Sequence, residues 1–259
     1  MTEMNFIEHK LVVTGVNLRY LSAGDGPVLV CVQDIGGCVV SQAHQLLAQT
    51  HKVILLEIPV SSASAHSHPA QHKEESARML AAALAALGLT QVNLWGRSFS
   101  AQIALVLACL HKELVRTLIL SAPIALAPQQ QNGGSGQSGL GDEVKRQALY
   151  LQELVRDRPE AGGMAQSVFG TALEPAYVTM MAALECPTLI LCGTRDQISP
   201  SSYGRLYKEI MPKSNLVMIY DAGHGLENER PQAVLEVVAD YVERHDSFLV
   251  TRQDGLINP

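Results

Sequence analysis

The sequence predicts an α/β fold with a mostly parallel central sheet flanked by helices. Three observations carry that prediction. Short apolar runs recur along the chain, at Val28–Val32, Val53–Leu56, Val92–Trp95, Val115–Leu120, Thr188–Cys192 and Asn215–Tyr220. Most of them lack polar alternation, the mark of strands covered on both faces. Segments of helical composition lie between the runs, and strands alternating with helices build parallel sheets. The chain is also long and apolar enough for one large core, with 259 residues, 47% of them hydrophobic and 17% charged.

Each element follows from local signals. Lys10 to Leu21 alternates around Gly15-Val16-Asn17 and reads as an antiparallel hairpin at a sheet edge. Gly24-Asp25-Gly26-Pro27 is a turn. Helices are expected over Val40–Gln49, Glu74–Leu87 with Gly88 as a stop, Ala101–Leu110, Ser202–Ile210 and Gln232–Arg244. The rhythm breaks between Ala122 and Glu185, where no buried strand is visible. Asp142–Asp157 and Pro175–Leu184 have helical composition, and Gln129–Gly141 is a Gln/Gly/Ser-rich stretch expected to be mobile. The expected division is therefore a core of residues 1–121 and 187–259 with a helical cap at 122–186.

Composition excludes some functions. Net charge is −6 and no Lys/Arg block occurs, so nucleic acid is not an expected partner. The five cysteines lack CxxC spacing and read as reduced thiols, and no His/Cys cluster has metal-ligand spacing. Neither a signal peptide nor a membrane span is expected, which points to a cytoplasmic location. No metal or organic cofactor is required by the chemistry below.

The most informative segment is Val92-Asn93-Leu94-Trp95-Gly96-Arg97-Ser98-Phe99-Ser100-Ala101. It reads as strand, Gly-x-Ser-x-small, then apolar helix. A serine hydroxyl that must stand clear of a sheet needs a sharp strand-to-helix turn, with small residues two before and two after it. Near neutral pH such a hydroxyl needs a base, and the base needs an acid to fix its tautomer. An aspartate follows a strand and a glycine turn in Leu191-Cys192-Gly193-Thr194-Arg195-Asp196. A histidine follows the last strand in Asp221-Ala222-Gly223-His224-Gly225. Each lies at the carboxyl end of a strand, where open α/β sheets gather their catalytic groups.

These three segments resemble the α/β-hydrolase superfamily, in its order of serine, acid, histidine. The resemblance runs from about Lys10 to Arg244, excepting the cap. It implies a triad of Ser98, Asp196 and His224. It also implies an oxyanion hole built from the backbone N–H of Phe99 and, by likeness to the family's His-Gly-x-x-Gly loop, of Ile35. Ser100 stands where a second glycine is usual, and Arg97 replaces the common aromatic or histidine. Gln33-Asp34 replaces His-Gly, and Glu57-Ile58-Pro59-Val60-Ser61-Ser62 replaces an Asp and Gly-x-Gly turn. These departures surround the substrate site.

The pocket is expected to draw on Arg97 and on apolar cap residues, chiefly Tyr150, Phe169, Tyr177 and Met181, with Leu149, Val168 and Met180 as further candidates. The expected activity is serine hydrolysis of a small or medium acyl substrate, an ester or thioester. Two alternatives stay open. The Gly-x-Ser-x-Ser-Ala run also resembles strigolactone and karrikin receptors and their bacterial signalling relatives, which keep a triad but act as sensors. The same triad also serves carbon–carbon hydrolases, lyases and cyclases.

Overall fold

A computed structural model of the 259-residue chain describes residues 3–33, 37–58, 69–124, 146–147, 149–150, 152–153, 156 and 175–244. The expected mobile stretch Gln129–Gly141 lies outside these residues, as do Asp34, Ile35 and Phe169.

The chain opens with a hairpin, β1 (Ile7–Val13) and β2 (Val16–Ala23). Thr14 and Gly15 form its turn, both with positive φ, as tight hairpins of this twist require. There follow β3 (Val28–Val32), α1 (Gln42–Leu47), β4 (Lys52–Leu56), α2 (Pro69–Ala86), β5 (Val92–Arg97), α3 (Ser100–Leu110) and β6 (Val115–Ser121). After helical residues 146–147, 149–150 and 152–153 come α4 (Pro175–Ala182), β7 (Thr188–Gly193), α5 (Ser201–Ile210), β8 (Ser214–Ile219), α6 (Leu226–Glu229) and α7 (Pro231–Arg244).

The strands form one sheet in the order β1-β2-β4-β3-β5-β6-β7-β8. From β4 to β8 the pairings are parallel, and β2 runs against both neighbours. The predicted edge hairpin and parallel sheet are therefore both present. Boundaries differ in detail. Helix α1 is shorter than the expected Val40–Gln49, because Ser41 caps it with its own side chain on the His44 N–H at 3.2 Å. Helix α2 begins earlier than expected, at Pro69, a residue suited to a first turn.

The middle strands send alternate residues to two cores. Val30, Val32, Leu94, Leu118, Leu120 and Ile190 pack against α2, α3 and α5. Leu29, Cys31, Trp95, Ile119, Leu189 and Leu191 pack against α1 and α7. This explains the missing polar alternation, since both faces of the middle strands are dry. Helix α3 is buried from Ser100 to Cys109, which accounts for its almost uniformly apolar sequence. Among the described residues no helix is long and apolar enough to cross a membrane.

Parallel pairing fixes where chemistry can occur. Arg97 lies opposite Ser121 across β5 and β6, Ser121 opposite Leu191, and Gly193 opposite Ile219. The loops that follow β5, β6, β7 and β8 consequently leave the sheet at one common edge.

Helix α5 rests on β7 through Gly204, where a Cβ would lie 2.4 Å from Cys192 Sγ and 2.9 Å from Leu216 Cδ1. In an open helix Gly→Ala stabilises by about 1 kcal/mol. Here the overlap wins, and Gly204→Ala is expected to destabilise by about 1–3 kcal/mol. Urea denaturation of the two proteins checks the sign.

Candidate active site

Ser98 occupies the turn between β5 and α3 with φ of 54°, a left-handed conformation for a residue with a side chain. Such a residue costs on the order of 1–3 kcal/mol and persists only where its surroundings over-determine it. Three contacts do so. The Ser98 N–H donates to Ser121 O at 2.9 Å, and the Ile124 N–H reaches Ser98 O at 3.4 Å. Gly96 admits the helix, because a Cβ there would sit 2.6 Å from Ala101 Cα and 2.8 Å from Ala104 Cβ. The small residue before the serine is thus a packing requirement of this particular turn.

Ser100 supplies the third contact and explains its own place. Its hydroxyl accepts the Arg97 N–H at 2.9 Å. Its single proton faces Val32 O at 2.7 Å and Arg97 O at 2.8 Å. A glycine there could not tie the turn to the end of β3.

The structure brings Ser98, His224 and Asp196 together. His224 Nε2 lies 3.0 Å from Ser98 Oγ, and His224 Nδ1 lies 2.8 Å from Asp196 Oδ2. A carboxylate only accepts, so the proton belongs on Nδ1 and the Nε2 lone pair faces the serine hydroxyl. The other oxygen of Asp196 accepts the N–H groups of Ile198 and Ser199, both at 2.8 Å. One oxygen therefore folds its own loop while the other orients the histidine.

The histidine loop passes over Gly193, where a Cβ would meet Ala222 O and Gly223 O at 2.4 Å. That approach gives the glycine of Gly193-Thr194-Arg195-Asp196 its purpose, letting two loops touch. The Glu229 carboxylate accepts the N–H of Gly223 at 2.7 Å and of Gly225 at 3.1 Å, fixing the loop from within. Asp221 is paired with Arg195 and Arg230 rather than with His224.

The remaining predicted residues divide. Tyr150 stands edge-on to His224, with ring centroids 4.7 Å apart. Beside it, Arg146 and Gln147 donate to the carbonyls of Gln197 and Ile198 at 3.1 and 2.9 Å, so this piece lies on the acid loop. Tyr177 and Met181 instead pack into the core, and the Tyr177 hydroxyl donates to Glu74 Oε1 at 2.8 Å. Phe99 begins α3 with its ring buried in that core. Arg97 faces Glu227, its Nε 3.1 Å from Oε2. Ile35 and Phe169 lie outside the described residues.

Sequence reasoning missed Glu227 and His44. Glu227 has no motif of its own and becomes visible only through its burial, 3% exposed beside Arg97. His44 accepts the Ser41 N–H on Nδ1 at 3.1 Å and meets Trp95 edge-on. A cavity of about 80 Å³ lies beyond Arg97, with Gln33, Val39, His44, Trp95 and Glu227 in its wall.

Residues 27–147 match the α/β hydrolase fold family. The chain has the α/β-hydrolase fold. It is similar to a 2-hydroxymuconate semialdehyde hydrolase of Pseudomonas putida, at 23% identity over 70% of this chain and 73% of that protein. It is also similar to a pimeloyl-[acyl-carrier protein] methyl ester esterase of Neisseria meningitidis, at 26% identity over 60% of this chain and 70% of that one. A putative lipase from Acinetobacter baumannii shares the fold, with a TM-score of 0.73 and 17% identity over 92% of both chains.

Against that superfamily background the departures find structural employment. Gln33, in place of the usual histidine, accepts the Val39 N–H at 3.0 Å and bridges its own loop. Glu57, in place of the usual aspartate, pairs with Arg19 of β2 at 3.0 Å.

Burial, aided by the Arg97 charge, pushes the His44 imidazole down to about 3. The folded value is below the unfolded one near 6.5, so the unfolded chain binds the extra proton as pH falls. Stability is then lost from about pH 6.5 downward, by up to about 1.4 kcal/mol per pH unit. His44→Gln is expected to flatten this slope between pH 6.5 and 4 in thermal melts; an unchanged slope contradicts it.

Proposed function

We propose that this α/β-hydrolase-fold protein is a serine hydrolase that cleaves a carboxylic ester or thioester through an acyl-enzyme on Ser98. The observation that carries the reading is the continuous line from Asp196 Oδ2 through both His224 nitrogens to Ser98 Oγ, at 2.8 and 3.0 Å.

The chemistry follows from that line. His224 Nε2 takes the Ser98 proton as Oγ attacks the acyl carbon. Asp196 stabilises the imidazolium and keeps its ring in place. The proton then passes to the departing alcohol or thiol, leaving the acyl group on Ser98. Water enters, loses a proton to His224 and attacks the ester carbon, and Ser98 regains its proton as the acid departs. Negative charge on the tetrahedral oxygen is met by the Phe99 N–H at the start of α3, where the helix dipole also favours it. Ile35 is proposed as the second donor.

The residues of 122–186 are proposed to form a cap that walls the acyl pocket, with Tyr150 as its described contact at His224. Tyr177 and Met181, being core residues, are not assigned to substrate. The likeness to the methyl ester esterase supports the ester reading. The likeness to the 2-hydroxymuconate semialdehyde hydrolase favours a second one, in which the same three side chains open a carbon–carbon bond.

Turnover of p-nitrophenyl acetate and butyrate, with intact-mass detection of fluorophosphonate labelling, decides between them. The ester reading expects one label on the wild type and none on Ser98→Ala. It also expects kcat to fall by about ten-thousandfold in Asp196→Asn, where the wrong tautomer faces the serine. A folded wild type that takes the label but spares both esters moves the activity to the carbon–carbon reading.

A further inference from the structure

The loops that carry Ser98 and His224 are joined a second time, away from the contact between those two side chains. Arg97 immediately precedes Ser98, and Glu227 lies one turn beyond His224. Arg97 Nε stands 3.1 Å from Glu227 Oε2, and Arg97 Nη2 donates to the His224 carbonyl at 3.4 Å. Glu227 Oε1 accepts the Ser121 hydroxyl at 2.5 Å. Ser121 Oγ in turn accepts the Trp95 indole N–H at 2.9 Å. A polar chain thus leads from the buried Trp95 on β5, through β6, to the backbone of the histidine itself.

We infer that Arg97 and Glu227 are positioning residues, whose ion pair holds His224 Nε2 at bonding distance from Ser98 Oγ. The inference rests on the serine-hydrolase reading above. Stability alone does not account for the pair. Glu227 is almost fully buried, and the desolvation of a buried carboxylate offsets much of what an ion pair returns. Apolar replacements of such pairs are often neutral or stabilising. What an apolar pair cannot supply is the hydrogen bond from Arg97 Nη2 to the His224 carbonyl, made by a guanidinium that the Glu227 carboxylate holds in place.

That bond matters here because each partner is within three residues of a reacting side chain. Proton transfer tolerates misplacement of only about 0.5 Å. The other ties of the histidine loop work elsewhere. Glu229 shapes the loop internally, Asn228 Oδ1 accepts the Gln42 N–H at 2.9 Å near α1, and Asp221 faces Arg195 and Arg230. Among the described residues, the Arg97–Glu227 pair joins the histidine loop to the nucleophile turn, beside the contact of Glu227 with Ser121.

The test compares Arg97→Lys, Glu227→Gln and the double variant Arg97→Met/Glu227→Met with wild type. Three quantities are read: the fluorophosphonate labelling rate, kcat and KM on p-nitrophenyl butyrate, and Tm. The inference expects Glu227→Gln and the double variant to lose about ten- to a hundredfold in kcat and labelling rate, with KM within about twofold. It expects Arg97→Lys, which keeps the charge, to recover part of that loss. A folded double variant that labels at the wild-type rate overturns the inference and leaves the pair a structural contact. Should the double variant fail to fold, Glu227→Gln and Arg97→Lys give the same comparison.

The failure of the underlying reading looks different: wild type itself takes no label. In that case the proton between His224 Nδ1 and Asp196, followed by NMR with ¹⁵N-histidine, still decides. Its downfield resonance is expected to shift or vanish in Glu227→Gln, and an unmoved resonance overturns the positioning role.

Discussion

The candidate site depends on how closely helix α3 approaches the end of strand β5. That approach forces Ser98 into a left-handed backbone conformation, which in turn lifts its hydroxyl off the sheet toward His224. A strained residue is stable only when its neighbours leave no alternative. Gly96 leaves room for the helix backbone, Ser100 ties the turn to β3, and the Ser121 carbonyl holds the Ser98 N–H. The dry, mostly apolar flanks of α3 then transmit the burial of the whole sheet to that single turn. Fold stability and site geometry are here one mechanical problem, because the core that drives folding is the core that seats the turn.

A second close approach makes the site a site. Gly193 lets the histidine loop lie on the end of β7, and Asp196 can reach His224 only because those two backbones touch. The aspartate side chain has divided duties, one oxygen on two loop N–H groups and the other on the imidazole. This division has an energetic logic. The carboxylate must be dry to orient the histidine strongly, and a dry carboxylate needs every lone pair engaged. The loop N–H groups meet that need without competing for the histidine.

Much of this was legible in the sequence, for physical reasons that differ by element. The buried strands announced themselves because a strand dry on both faces cannot carry alternation, as at Val28–Val32 and Thr188–Cys192. The three segments bearing Ser98, Asp196 and His224 were legible because steric demands fix their small residues at set offsets. What was not legible depended on tertiary contact without local signature. Nothing in the order of residues says that Glu227 turns inward to Arg97 and Ser121 while Glu229, two positions on, closes its own loop. Tyr177 and Met181 read as pocket residues by type, yet α4 directs them into the core. Tyr150, of the same type, meets His224. Helix boundaries moved where a cap decided them, as with Ser41 ahead of α1.

The departures from the superfamily pattern share a direction. Ser100, Gln33, Glu57 and Arg97 each replace a residue that is usually small, aromatic, histidine or a turn-former, and each gains a defined polar contact. Three of those contacts run between segments distant in sequence: Ser100 to β3, Glu57 to β2, Arg97 to the histidine loop. Polar contacts of this kind add little net stability, because water offers the same groups competing partners. Their effect is on geometry, since a hydrogen bond specifies an angle where an apolar contact specifies only proximity. A site framed this way holds its reacting groups in one arrangement at the expense of adaptability.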